Sequence, residues 1–240
     1  MRSPLHYLRI GQGIALFLLL SFTVEQDRIA WRLVDPQREP ITLHWKDAKG
    51  HVIGNLGALK AHIHAQGQEM IFGMNGGMFT KDHAPVGLYV EEGRILQRID
   101  CRTEGTGNFH LQPNGVFGVR MNGTAFVVPT TAMIDMRDVR YATQSGPMLV
   151  VDGALNDHFT PGSKNLHIRN GVGLRHDGKV VFAISREAVN FNDFATWFVE
   201  HGCIHALYLD GAISKAYIPE AGVQELDGDL GILIAVAAGW

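Results

Sequence analysis

The chain has 240 residues, a formal net charge of −3, 19% charged residues and 28 glycines. That length is enough for one domain with a substantial core, and the charge argues against a nucleic-acid surface, which needs a strong positive field. The composition fits neither a coiled coil nor a disordered chain, and no internal repeat or low-complexity stretch is present.

At the N-terminus Arg2 and Arg9 precede an apolar run from Ile10 to Val24. About 15 such residues suit an export signal and are short for a membrane span. No Ala-x-Ala cleavage site follows. Residues 1–24 are therefore expected to be a signal peptide or an uncleaved N-terminal anchor, with a buried segment as the third reading. Residues 25–240 are expected to form one exported domain, periplasmic or extracellular, touching a membrane only through that segment.

"IAWRLVD" and "ITLHWKD" read as two strands, followed by a helix over "NLGALKAHIHAQG" with Asn55 as N-cap and Gly67 just past its end. The stretch "MIFGMNGGMF", Met70 to Phe79, carries an apolar strand into Asn75-Gly76-Gly77. Asn-Gly is a strong hairpin signal. The next stretch, "TKDHAPVG", is loop-like, so a strand ending in a site loop is the other reading. Val86 to Ile99 reads as a hairpin about Glu92-Gly93, and further hairpins turn at Asn122-Gly123 and Asp177-Gly178. A second helix fits "NDFATWFVEHG", capped near Asn192, burying Phe194, Trp197 and Phe198 and stopped by Gly202. "IHALYLD" and a fully buried "LGILIAVAAG" complete an α+β fold: a mostly antiparallel mixed sheet with many hairpins and two main helices. Cys101 and Cys203 either pair or leave Cys203 as a buried thiol between a helix end and a strand.

Four stretches share one design, an apolar strand ending in small and polar residues: "GMNGGMF", "TQSGPMLV", "IRNGVGLR" and "LYLDGAIS". Each sets a short polar side chain beside glycine, where a ligand can approach the backbone. Arg169 is a cation suited to phosphate or carboxylate. Asp210 should stand at a strand end. The plainer readings are a turn at Asp210-Gly211, a surface ion pair for Arg169 and a strand stop at Ser145-Gly146-Pro147. Asn75, Ser145, Arg169 and Asp210 are expected to face one cleft. Arg186, Glu187 and Asp193 either cap and pair around the second helix or line that cleft. His62 and His64 lie on different sides of a helix, and no zinc, P-loop or Gly-x-Ser-x-Gly pattern occurs, so neither metal nor cofactor is expected.

The order "NGGMF", "ATQSGPMLV", "IRNGVG", "VVFAIS" and "ALYLDGAISKAYIP" resembles the phosphodiester glycosidase family over about residues 40 to 238. The family includes the lysosomal uncovering enzyme, which removes N-acetylglucosamine from a phosphodiester-linked mannose, and this chain looks most like its exported bacterial branch, long catalogued as a domain of unknown function. The resemblance implies an α+β fold with its site in a cleft formed by these loops. The family pattern Asp-Gly-Gly-Gly-Ser is matched at Asp210, Gly211 and Ser214, with Ala212 and Ile213 in place of two glycines, and Arg-x-x-x-Gly is matched by Arg169 and Gly173. It implies an exported hydrolase of a sugar 1-phosphodiester, acting on envelope or capsule glycans. The departing phosphomonoester has a second pKa of about 6 and needs little help from a general acid. On this reading Arg169 binds phosphate and Asp210 acts at the anomeric carbon, as nucleophile or base. Asn75, Gly76, Gly77, Ser145, Gly146, Asn170, Gly211 and Ser214 bind substrate, and Glu187 or Asp193 is a possible second carboxylate. Two alternatives stay open: a non-catalytic glycan- or cell-wall-binding protein on the same scaffold, and a metal-dependent phosphodiesterase.

Overall fold

The computed structural model describes residues 27–133, 135–211 and 213–239; the expected signal or anchor at residues 1–24 lies outside them. Three antiparallel sheets meet around one core. The first runs, in spatial order, Ile29–Val34, Val180–Ser185, Asn170–Arg175, Cys203–Asp210, Met148–Val151 and Ala154–Leu155. The second runs Val223–Gln224, Ala216–Ile218, Gln68–Gly77, Ile232–Gly239 and Ile41–His44. The third runs Arg94–Gln97, Tyr89–Glu91, Val139–Ser145, Gly115–Arg120 and Ala125–Pro129. Phe72, Phe117 and Phe182, one from each sheet, join at the centre, with Phe182 stacked on Phe72 at 4.7 Å and edge-on to Phe117 at 5.7 Å.

The α+β class and the single domain stand, but the expected mixed sheet is three sheets, and each pairing among the described strands is antiparallel. The second helix does connect two strands of one sheet, Val180–Ser185 and Cys203–Asp210. Asn170–Arg175 is inserted between them, so the two never pair. The hairpin at Glu92-Gly93 has positive φ at both residues, 48° and 74°, the backbone that a two-residue turn demands. The closing strand Ile232–Gly239 is buried only as far as Val236 and becomes partly exposed beyond it.

Helix α1, Leu56–His64, starts where Asn55 Oδ1 accepts from Ala58 N at 2.7 Å and buries Leu56, Leu59 and Ile63. Helix α2, Phe191–Glu200, is capped by Asn190 rather than Asn192. Asn190 Oδ1 accepts from Asp193 N at 2.8 Å while Asn190 Nδ2 donates to Asp193 Oδ2 at 3.0 Å, a reciprocal cap that outcompetes a later start. Phe194 and Phe198 of α2 press on the first sheet where Gly171 and Gly173 leave room. A Cβ at Gly173 would lie 2.5 Å from Cys203 Sγ and 2.7 Å from Phe198 Cδ1, so this glycine serves helix docking. Among the described residues no helix is long and apolar enough to cross a membrane.

The two cysteines do not pair: Cys203 is a buried free thiol and Cys101 an exposed one. Burial pushes the Cys203 thiol up to about 12. A thiol reagent at pH 8 is expected to modify one cysteine in the folded protein and two after unfolding, because thiolate is the reactive form. Rapid labelling of both in the native state would contradict this placement.

Candidate functional site

The sequence-flagged stretches converge where the three sheets meet. Asn75 comes from the second sheet, Ser145 from the third, and Asn170 and Asp210 from the first. Asn170 Nδ2 donates to Asn75 O at 2.9 Å and to Asn75 Oδ1 at 3.0 Å, tying the first sheet to the second. Ser145 Oγ donates to Leu209 O at 2.6 Å, tying the third to the first. Asn75 also receives Lys215 N on Oδ1 at 2.9 Å and donates Nδ2 to Ile213 O at 2.8 Å. Asn75, Ser145 and Asn170 are therefore fully buried and engaged within the protein. They hold the site in place, and their polar atoms are largely committed before any ligand arrives.

Asp210 is 5% exposed, and its backbone N donates to Asn170 Oδ1 at 3.0 Å. The ladder pairs Asn170 with Asp210 but Gly171 with Tyr208, leaving Leu209 as the extra residue of a β-bulge. A bulge bends the strand and re-aims the residues after it, as is common beside functional sites. Ser214 Oγ donates to Asp210 O at 2.8 Å and lies 3.2 Å from Ile168 O, which brings Ser214 back to the strand end. Ala212 lies outside the described residues, and Ile213 borders the adjoining cavity.

Arg169 parts company with its neighbour. Consecutive residues in extended chain point to opposite sides, and while Asn170 reaches Asn75, Arg169 turns toward α2. Its Nε donates to Val189 O at 2.8 Å and its Nη2 to Asn165 O at 3.0 Å and Asn165 Oδ1 at 3.3 Å. The guanidinium lies over the Phe191 ring at 3.6 Å and sits 5.4 Å from the Tyr208 ring. Every hydrogen-bond partner of this fully buried cation among the described residues is a neutral oxygen, and Nη1 has none. Burial lowers its pKa from the usual arginine range. The four expected residues thus gather at one joint, but they do not line a single open cleft.

The glycines divide by role. Gly76 is the bulge residue opposite Ile232 and Leu233, where a Cβ would come within 2.6 Å of Ile234 Cγ1. At Gly77 it would meet Thr143 Oγ1 at 2.5 Å, and at Gly146 it would meet Asn114 Cβ and Phe109 O, both at 2.8 Å. Asn75-Gly76-Gly77 is thus the end of strand Gln68–Gly77 rather than a hairpin turn, and its glycines let the sheets close on each other. Gly211 differs: a Cβ there would fall 1.3 Å from the Tyr208 hydroxyl. Gly211→Ala is expected to displace that buried ring and to destabilise the protein by about 1–3 kcal/mol, the usual cost of overpacking. Thermal denaturation measures it, and an unchanged Tm would mean that the ring moves freely.

Of the reserve carboxylates, Glu187 is exposed and paired with Arg28, and Asp193 caps α2. Arg186 borders a cavity of about 770 Å³ that Gly211 and Ser214 also line. A second cavity of about 200 Å³ is walled by Asn165, Phe191 and Pro147, beside Arg169. Among the described residues no group of three or more His, Cys, Asp or Glu is placed to hold a metal. Sequence reasoning missed Asn165, Ser185, Phe191 and Tyr208. Ser185 receives Arg169 N on its Oγ at 2.9 Å, Tyr208 lies within the apolar "ALYL", and Phe191 carries no signal of its own in the sequence.

The phosphodiester glycosidase family model matches residues 68–231, which span the whole joint from Asn75 to Ser214. The chain belongs to the phosphodiester glycosidase family. It is 36% identical over 233 residues to the uncharacterised protein YigE of Escherichia coli strain K12, covering 89% of this chain and 91% of that one. Among solved structures it is similar to the zebrafish N-acetylglucosamine-1-phosphodiester alpha-N-acetylglucosaminidase catalytic domain, auto-inhibited by its pro-peptide. That similarity has a TM-score of 0.58 at 13% identity, over 89% of this chain and 84% of the other. A protein from Burkholderia pseudomallei K96243 gives a TM-score of 0.56 at 13% identity, over 87% and 73% of the two chains. At these identities the structural likeness speaks for the fold.

Proposed function

We propose that this member of the family hydrolyses the glycosidic bond of a sugar 1-phosphodiester, outside the cytoplasm, on an envelope or capsule glycan. The observation that carries the reading is Arg169, a fully buried guanidinium among neutral oxygens and aromatic faces with Nη1 unpartnered. A buried charge without a counter-charge is costly, and an incoming phosphate removes that cost. Asp210 stands at the adjoining bulge of the same sheet. In the net reaction the bond from the anomeric carbon to the phosphate oxygen breaks and a water oxygen takes its place. This happens either in one step, with the water's proton passing to Asp210 as base, or after Asp210 as nucleophile has formed a glycosyl ester that water then opens, its proton going to solvent. The electron pair leaves on the phosphomonoester, whose low second pKa makes it a good leaving group. Asp210 serves the anomeric carbon as nucleophile or base. Asn75, Ser145 and Asn170 support this chemistry by holding the strand ends together. The export of the chain rests on Arg2, Arg9 and the apolar run that follows them.

The test is a screen of purified protein against sugar 1-phosphodiesters of varied sugar and aglycone, with chelator controls. Release of sugar and phosphomonoester, unchanged by chelator, is the expected result. Turnover abolished by chelator and restored by added metal would favour the phosphodiesterase, and tight binding without turnover the glycan-binding protein.

A further inference from the structure

Arg169 Nη1 is not alone in lacking a partner. The Tyr208 hydroxyl, also buried, makes no hydrogen bond of ordinary geometry within the protein, although the Arg169 and Asn108 side chains approach it. Native proteins leave few buried polar groups unsatisfied, and of the six such atoms among the described residues these two lie side by side, where a ligand or an ordered water would complete them. The pair is close: Arg169 and Tyr208 act on each other through charge and a weak, poorly aligned hydrogen bond, which leaves both with capacity for a better partner. The tyrosine is also held firmly. Its ring meets the Phe191 ring edge-on at 4.8 Å, its backbone N donates to Pro147 O at 3.1 Å, and its hydroxyl fills the space beside Gly211. Asp210 lies near enough for its negative charge to act on the same hydroxyl. Tyr208 therefore feels both the proposed phosphate-binding cation and the proposed catalytic carboxylate. The cavity of about 200 Å³ shares Asn165 and Phe191 with the surroundings of Arg169, and Pro147 with those of Tyr208.

We infer that the Tyr208 hydroxyl is a second donor to the substrate's phosphate, beside Arg169 Nη1, and that it stabilises the departing phosphomonoester. This rests on the reading of Arg169 as the phosphate site. Burial pushes the Tyr208 phenol up to about 12, against the opposing pull of Arg169, so it keeps its proton at neutral pH and acts as a hydrogen-bond donor. Its contribution grows as negative charge collects on the leaving oxygen. No proton is transferred from it, and bond making and breaking remain as described for the hydrolysis.

Tyr208→Phe separates this role from a packing role. The ring is kept and an unsatisfied buried hydroxyl is lost, so Tm without ligand should hold or rise. Inorganic phosphate should raise the Tm of the wild-type chain, and its affinity for the variant should fall about 10–100-fold, the range for a hydrogen bond to a charged group. Phosphate binding that is equal in the two proteins overturns the tyrosine's role and leaves Arg169 in place. A wild-type chain that does not bind phosphate overturns both. Should the variant fold poorly, wild-type protein carrying 3-fluorotyrosine, a stronger hydroxyl donor, is expected to bind phosphate more tightly, and unchanged affinity overturns the inference.

Discussion

Asp210→Asn is expected to bind a sugar 1-phosphodiester with near-normal affinity and to lose turnover by about 10²–10⁴-fold, the range for removing a positioned acid–base group. Asparagine keeps the shape of the side chain and removes the charge. The backbone hydrogen bond from Asp210 N to Asn170 Oδ1 does not depend on that charge, so the bulge and the joint should survive. Steady-state kinetics on a substrate found by the screen, together with a thermal melt, checks both halves. Near-normal kcat would remove Asp210 from the chemistry. The structure offers weak replacements, since Glu187 is an exposed partner of Arg28 and Asp193 is engaged in the cap of α2.

Arg169→Ala should show a different signature. Phosphate is charged in the ground state and gains charge at the leaving oxygen in the transition state, so KM should rise and kcat should also fall. At about 1.5–3 kcal/mol for a charge-assisted hydrogen bond, kcat/KM should drop about 10–100-fold or more. Stability changes too. Arg169 satisfies Val189 O and Asn165 O, and the alanine leaves both without that donor. Val189 O keeps His167 N as a donor at 3.1 Å and Asn165 is exposed, so the loss comes mainly from the cavity left by a large buried side chain, about 2–5 kcal/mol. Kinetics must therefore be measured well below the variant's own Tm. A variant that is merely less stable, with unaltered KM, would return Arg169 to a structural role.

The sequence disclosed the elements better than their assembly. Asn55, Gly67 and the turn pairs at Glu92-Gly93, Asn122-Gly123 and Asp177-Gly178 act locally, and the structure places turns or caps at each. The division into three sheets depends on long-range pairing. No local signal shows that Asn170–Arg175 slips between two strands that α2 joins. The same holds for the site. Strand ends carrying Asn75, Ser145, Asn170 and Asp210 are visible as polar residues beside glycine, but the atoms they bind are not. The structure commits Asn75 and Asn170 to each other across two sheets. Tyr208 escapes notice because an aromatic in an apolar run reads as core, and Phe191, set between Asn190 and Asn192, because it carries no polar group of its own; both are buried. The signal that separates Tyr208 from ordinary core is its unpartnered hydroxyl, which no sequence pattern encodes.

The most direct test of the glycosidase reading is hydrolysis of a sugar 1-phosphodiester in ¹⁸O-labelled water, with the isotope read in the phosphomonoester released. Attack at the anomeric carbon delivers the new oxygen to the sugar, so the predicted product is a phosphomonoester free of label. A phosphomonoester carrying ¹⁸O would mean that the phosphorus–oxygen bond is cut, and would contradict both the action of Asp210 at the anomeric carbon and the departure of the phosphate held by Arg169 as the leaving group.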